Sequence, residues 1–318
     1  MNRPRFCRPI VVRGLTALLF GLSAAVASGP GAVAAGGPPP GLAAAKAAAA
    51  ADAYWTAERM AAAVPSATAV RKGARAHGGP VPPSHPFDGL PQVGTFFWTD
   101  GDDTGRFCGG TVVRSPHRDL AVSAAHCLRS PDPKKRLTFV PQYHDGQKPH
   151  GVFPVEAVYI DQRYYDLGTD RGARWDYTVL RLGEREDGES VQNAVGGFGL
   201  AIRPGYAHRN VRLIGYPGNS DAKYPKPLDC SSSTHRYTST DPNAPGDFLE
   251  IACAGYVGGT SGGPFLVRGA GGGYALIGVI GGYHTGGDTP DISYSSYFTE
   301  DLLELYAAAV EGDPPVSP

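Results

Sequence analysis

At 318 residues the chain can hold one large domain or two and is long enough to bury a core. It carries 44 Gly and 29 Pro with only 19% charged residues, which argues against a helical bundle and for short strands joined by many turns. Setting aside Arg3, Arg5, Arg8 and Arg13 moves the formal charge from −1 to −5, so the basic footprint of a nucleic-acid binder is absent.

Those four arginines open a positively charged start, followed by an apolar stretch over 15–26 that is short for a membrane span and by small residues at 32–35. Residues 1–35 therefore read as a signal peptide, and the protein is expected outside the cell with no stable membrane anchor. Cys7 leaves with that segment. Cys108, Cys127, Cys230 and Cys253 remain, an even number that reads as two disulfides in an oxidising compartment. Zinc would need closer ligand spacing than any pair offers, and neither a metal nor a cofactor is expected.

Residues 36–79 are rich in Ala, Gly and Pro, and within them 42–64 forms a helix by composition, ended by Pro65. The segment is read either as a prosegment that shields the domain after it or helps it fold before being cleaved, or as an Ala-rich linker. If it is lost, the charge of the remainder falls to about −8. From residue 80 to 318 a single domain is expected. Its β-type runs at 93–99, 107–113, 120–124, 137–142, 154–160 and 177–182 precede a Gly-rich break near Gly196. Further runs come at 211–215, 248–253, 263–267 and 274–283, with others hidden in the loops. Two successive antiparallel barrels, about 85–195 and 196–318, fit this spacing better than a βαβ arrangement. Past Thr299, an N-cap candidate, Leu302, Leu303, Leu305, Tyr306 and Val310 mark an amphipathic C-terminal helix.

Gly258-Gly259-Thr260-Ser261-Gly262-Gly263-Pro264 places one hydroxyl in a glycine-dense turn, where a substrate carbonyl could approach the N–H groups of Gly259 and Ser261. A hydroxyl needs a base and an oriented partner for that base. Ser123-Ala124-Ala125-His126-Cys127 ends an apolar strand, and a Cys108–Cys127 bridge would fix the turn that carries His126. Asp176 stands at the entrance to the buried-looking run Tyr177-Thr178-Val179-Leu180, where an acid needs a hydrogen-bonding partner. His126 is the natural one.

In that chain order, the motifs around His126, Asp176 and Ser261 resemble the trypsin/chymotrypsin-like serine peptidases, from about Phe87 to the C-terminus. Ile214-Gly215-Tyr216-Pro217-Gly218 is similar to the secreted bacterial branch that includes glutamyl endopeptidases. The resemblance implies an all-β fold, two antiparallel six-stranded β-barrels packed face to face with a C-terminal helix, and a cleft between the barrels. It implies a secreted, monomeric serine endopeptidase acting on proteins or peptides through an acyl-enzyme. His126 would be the base, Asp176 its orienting acid and Ser261 the nucleophile, with Gly259 and Ser261 forming the oxyanion hole. A catalytically idle protein-binding relative and an esterase are the alternatives. An α/β-hydrolase is excluded by order, since only His284 follows Ser261.

Thr260 stands where animal digestive members carry an aspartate that pairs with a freed N-terminus, so activity is not expected to need a buried N-terminal ammonium. The substrate-pocket candidates are Gly255, Tyr256, Ile280 and His284. Gly255, six residues before Ser261, does not support a Lys/Arg preference, and Ile280 aligns with the pocket histidine of glutamyl endopeptidases. Cys230–Cys253 is expected as the second bridge. Asp100-Gly101-Asp102-Asp103 reads as a hairpin turn and not as a calcium loop.

Overall fold

The computed structural model describes residues 40–66, 79–129, 135–218, 225–269 and 271–316, so the expected signal peptide at 1–35 lies outside the described residues. The first elements are helices α1 (Pro40–Tyr54) and α2 (Ala57–Ala62), then the two-residue strands β1 (Val64–Pro65) and β2 (His85–Pro86). After them come β3 (Val93–Thr99), β4 (Gly105–Val112), β5 (Leu120–Ser123), α3 (Ala125–Leu128), β6 (Lys135–Pro141), β7 (Phe153–Ile160), α4 (Gln162–Arg171), β8 (Thr178–Leu182) and α5 (Val191–Val195). The second half holds β9 (Gly199–Leu200), β10 (His208–Gly215), β11 (Leu228–Thr238), β12 (Asp247–Ala252), β13 (Pro264–Arg268), β14 (Tyr274–Val279), β15 (Ile292–Ser296) and α6 (Glu300–Glu311).

All of β3 is buried because it is covered on both faces, which is why its sequence reads as one apolar run instead of alternating. Phe96 and Trp98 point inward to a cluster with Cys108, Phe139, Phe153 and Leu180. Phe97, one residue out of phase, joins a second cluster with Trp55, Phe107, Tyr143 and Tyr216 on the outside of the sheet. Strands β3 to β8 close on themselves in the order β4-β3-β6-β7-β8-β5, the β4–β5 pairing completing a six-stranded antiparallel barrel. Asp100 to Thr104 turn the β3–β4 hairpin, with Asp100 N donating to Thr104 O at 3.1 Å.

The second sheet runs β15-β12-β11-β10-β13-β14 with β9 added in parallel on β14 and β2 paired to β11. It rolls toward closure without a backbone ladder between β14 and β15. There Val279 N donates to the Ser295 hydroxyl at 3.0 Å and Gly281 N to Tyr294 O at 3.0 Å, so a side chain does part of the closing. Two of its strands, β11 and β15, belong to the loops in which further strands were expected. Serines and charges dominate β11, and β15 buries Ser293, Ser295 and Ser296, so neither carries a hydrophobic signature.

The helix expected at 42–64 is broken. α1 stops at Tyr54, and the Thr56 hydroxyl accepts from Arg59 N at 3.3 Å to cap α2. The break turns Trp55 inward to 1% exposure, with its indole N–H donating to Arg136 O at 3.0 Å. At the other end Thr299 caps α6 as expected, and Leu302 is buried, whereas Leu303 lies one step round the helix and is exposed.

Candidate active site

Asp176 comes directly after the 3₁₀ turn Ala173–Trp175, which drops its side chain into the interior with no exposure to solvent. A buried carboxylate has to be fully hydrogen-bonded, and this one is. Its Oδ1 accepts from His126 N at 2.8 Å, and its Oδ2 accepts from His126 Nδ1 and from Gly282 N, both at 2.7 Å. The approach of Gly282 needs glycines: Gly282 has φ +75, and a Cβ on Gly281 would sit 3.0 Å from the carboxylate oxygen. Tyr164 is buried nearby, and burial first, then the Asp176 charge, push its phenol well above 10.0.

His126 sits on the one-turn helix α3 directly after β5, and the Cys108–Cys127 disulfide, 6.3 Å between Cα atoms, ties that turn to β4. Among the described residues its Nε2 has no hydrogen-bond partner although it is buried. Removing the bridge by a Cys108→Ala/Cys127→Ala double change should cost about 3 kcal/mol, or roughly 6–12 °C in Tm, because it opens a 19-residue loop. Calorimetry of parent and variant checks this; an unchanged Tm would contradict it.

Ser261 is carried to the same seam through its backbone. Gly109 N donates to Ser261 O at 2.7 Å, and Gly109 O accepts from the Ser123 hydroxyl at 2.7 Å, so the serine loop is pinned to the strand beside Cys108 and, through Gly109, to the end of the strand that precedes His126. Gly262 is required here, since its φ is +77 and any Cβ would collide with Gly109 O and the Ser123 hydroxyl. Thr260 fixes the loop from within, its hydroxyl donating to Val257 O at 2.8 Å. The N–H groups of Gly259 and Ser261 make no hydrogen bond to the described residues. Ser261 Oγ and His126 Nε2 are not hydrogen-bonded to each other, the looser geometry common where no substrate is bound.

The four pocket candidates are placed differently from one another. Gly255, at φ +92, packs against Ser84 and Leu228. Tyr256 and Ile280 belong to the core of the second sheet, and the Tyr256 hydroxyl donates to Leu213 O at 2.6 Å. His284 is held on both ring nitrogens, Nδ1 by Asp288 at 2.7 Å and Nε2 by Asp241 at 3.3 Å, which leaves neither for an acidic substrate side chain. Cys230–Cys253 forms the second bridge, 6.1 Å between Cα atoms. Gly282, Gly109 and Ser123 were not legible as site residues, because two act through their backbone.

The loop before Asp176 is anchored to α6. Trp175 Nε1 donates to Asp301 Oδ2 at 2.9 Å, and Arg163 bridges to Asp301 Oδ1 at 2.9 Å while its guanidinium lies 4.6 Å from the Trp175 ring centre. Partial burial opposes the Asp301 charge, but the bonds from Arg163 and Trp175 outweigh it and hold the carboxyl below its ordinary 3.8. A depressed carboxyl stabilises the fold above its unfolded pKa and loses that contribution as pH falls through the folded value. Asp301→Ala should therefore lower Tm at pH 7, with the gap to the parent closing below about pH 4. A gap of equal size at pH 7 and pH 3, measured by thermal melts, would sink this account.

A barrel pair with a buried carboxylate–imidazole couple beside a glycine-flanked serine defines the two-barrel serine-protease class. Residues 84–299 match the trypsin family, and the chain belongs to that family. In fold it is similar to the protease Anisep from Arthrobacter nicotinovorans, at 22% identity and TM-score 0.59, covering 72% of this chain and 99% of that one. It is also similar to the thermostable serine protease AL20 from an extremophilic microorganism, at 22% identity and TM-score 0.58, covering 70% and 98%. A Glu endopeptidase solved in complex with MPD gives 16% identity and TM-score 0.53, covering 74% and 98%. No curated protein matches the chain by sequence. By family, then, the chain is a trypsin-like serine protease acting on protein or peptide substrates.

Proposed function

We propose that the protein is a secreted serine endopeptidase in which Ser261 is the nucleophile, His126 the general base and Asp176 the acid that orients it. The observation that carries this is the Asp176 carboxylate, wholly buried and gripping His126 Nδ1 at 2.7 Å while Nε2 is left without a partner. An imidazole so held keeps its Nδ1 proton and presents a basic lone pair at Nε2. In the proposed cycle Ser261 Oγ bonds to the scissile carbonyl carbon as its proton passes to His126 Nε2. The N–H groups of Gly259 and Ser261 receive the oxyanion, and the same proton goes to the leaving amine as the C–N bond breaks. Water, deprotonated by His126, then adds to the acyl carbon, and the ester bond to Ser261 Oγ breaks as that proton passes from His126 to Oγ, releasing the acid product and restoring the serine. Secretion is supported by the two disulfides and the leader-like first 35 residues; among the described residues no helix is long and apolar enough to cross a membrane.

A fluorophosphonate probe tests the reading directly. The adduct is expected on the peptide containing Ser261, with turnover of a mixed peptide library by the same preparation. Cleavage of simple esters without any cleaved peptide, or no adduct at all, would defeat it.

A further inference from the structure

We infer that residues 64–66 of this chain form a built-in occupant of the cleft, threaded parallel to β4, that keeps the site closed while they remain bound; the inference rests on the proposed catalytic role of Ser261. β1 pairs in parallel with Arg106 and Phe107 on the edge of β4, adding a strand to the barrel beside the site. Ser66 N donates to Phe107 O at 3.1 Å, and the Ser66 hydroxyl donates to the carbonyl of Cys127, the neighbour of His126, at 3.0 Å. On the opposite wall the Pro65 ring fills the space where a Cβ of Gly218 would be, and Gly218 N donates to Gly258 O at 2.8 Å, at the start of the Ser261 loop. The ring of Phe107, whose carbonyl Ser66 engages, lies against Gly259. Two consecutive residues therefore bridge β4 and the turn that carries His126 on one side and, on the other, Gly218, which is bonded to the loop that carries Ser261.

The occupant is anchored from outside the cleft. Trp55 and Met60, 1% and 2% exposed, sit in the aromatic cluster of Phe97, Phe107, Tyr143 and Tyr216, and Asp52 pairs with Lys148 at 2.7 Å. With the segment in place the His126 side chain is 2% exposed and Ser261 5%. No carbonyl of residues 64–66 is hydrogen-bonded to Gly259 N or Ser261 N, so the segment is held beside the catalytic groups without being presented for cleavage.

The chain from residue 79 onward is fastened elsewhere. Ala254 N donates to Pro82 O at 3.0 Å, and β2 pairs with Leu228 and Asp229 of β11. A cut between residues 66 and 79 would leave the N-terminal piece seated by contacts that do not depend on the cut bond. Inhibition should outlast cleavage until that piece dissociates or is degraded.

The test measures the rate of fluorophosphonate labelling at Ser261 on intact chains, with retention of residues 40–66 checked by mass. The intact parent should label at least ten-fold more slowly than Pro65→Asp or Met60→Asp, and a synthetic peptide of residues 40–66 should slow the variants again. Ser66→Ala, which removes one hydroxyl, should give a smaller rise and guards against misfolding of the other two. Parent and all variants labelling at one fast rate, with the peptide inert, would overturn the inference while leaving the catalytic reading intact. No labelling of any chain would overturn the catalytic reading, and this inference with it.

Discussion

Ser261→Ala is expected to lower kcat by about 10⁶-fold while leaving Tm within about 2 °C of the parent. The stability half comes from the contacts of the side chain. Ser261 Oγ makes no hydrogen bond to a described residue, so its loss strands no partner, and the bond that seats the loop, Gly109 N to Ser261 O, uses a carbonyl that alanine keeps. The positive φ angles on either side fall on Gly259 and Gly262, so the substituted position itself has no left-handed backbone to strain. The catalytic half comes from non-additivity. Once the nucleophile is gone, the pairing of His126 with Asp176 has nothing to activate, and removing one member costs nearly as much as removing all. The surviving rate should be the contribution of the two N–H donors, roughly 10³–10⁴ over the uncatalysed reaction, since alanine retains its own N–H. Single-turnover rates on a peptide ester together with a melting curve decide it. Near-normal turnover by a well-folded variant would remove Ser261 from the role proposed for it.

Most of the first barrel was visible in the sequence because its strands are covered on both sides and so read as apolar runs, as in Val93–Thr99 and Thr178–Leu182. The second sheet was half visible. β11 turns polar residues to solvent, and β15 buries serines that satisfy one another and the neighbouring chain, Ser296 Oγ for example donating to Ala173 O at 2.6 Å. Hydrophobic patterning cannot mark strands built that way. His126 and Asp176 were placed by the costs of burial, since an acid at the mouth of an apolar strand demands a partner and a histidine beside a cysteine bridge has a fixed turn to sit on. The Gly282 N–H on that acid was out of reach, because a backbone donor 106 residues away leaves no trace in residue type. The break at Trp55 was hidden for a related reason. Helix propensity favours continuity through 42–64, and only the aromatic cluster outside β3 gives the indole a reason to leave the helix.

Asp176→Asn is expected to lower kcat by about 10⁴-fold, and the geometry says how. The carboxylate accepts three hydrogen bonds from three donors, His126 N on Oδ1 and both His126 Nδ1 and Gly282 N on Oδ2. An amide offers one oxygen and one NH₂, so one side must face a donor with a donor. With NH₂ at the Oδ2 position, Gly282 N–H loses its acceptor and His126 Nδ1 must become an acceptor, which moves the ring proton to Nε2 where the lone pair is needed. With NH₂ at the Oδ1 position it is His126 N–H that meets a donor, so the ring keeps its tautomer but loses the bond that seats its backbone against the acid, and both orientations take the imidazole out of its working state. Either orientation leaves one buried N–H without a partner, about 1–3 kcal/mol, so Tm should fall by roughly 2–12 °C as activity falls. A drop in kcat of less than ten-fold, in a variant whose melt shows the stranded bond, would mean that Asp176 serves the fold and does not set the state of His126.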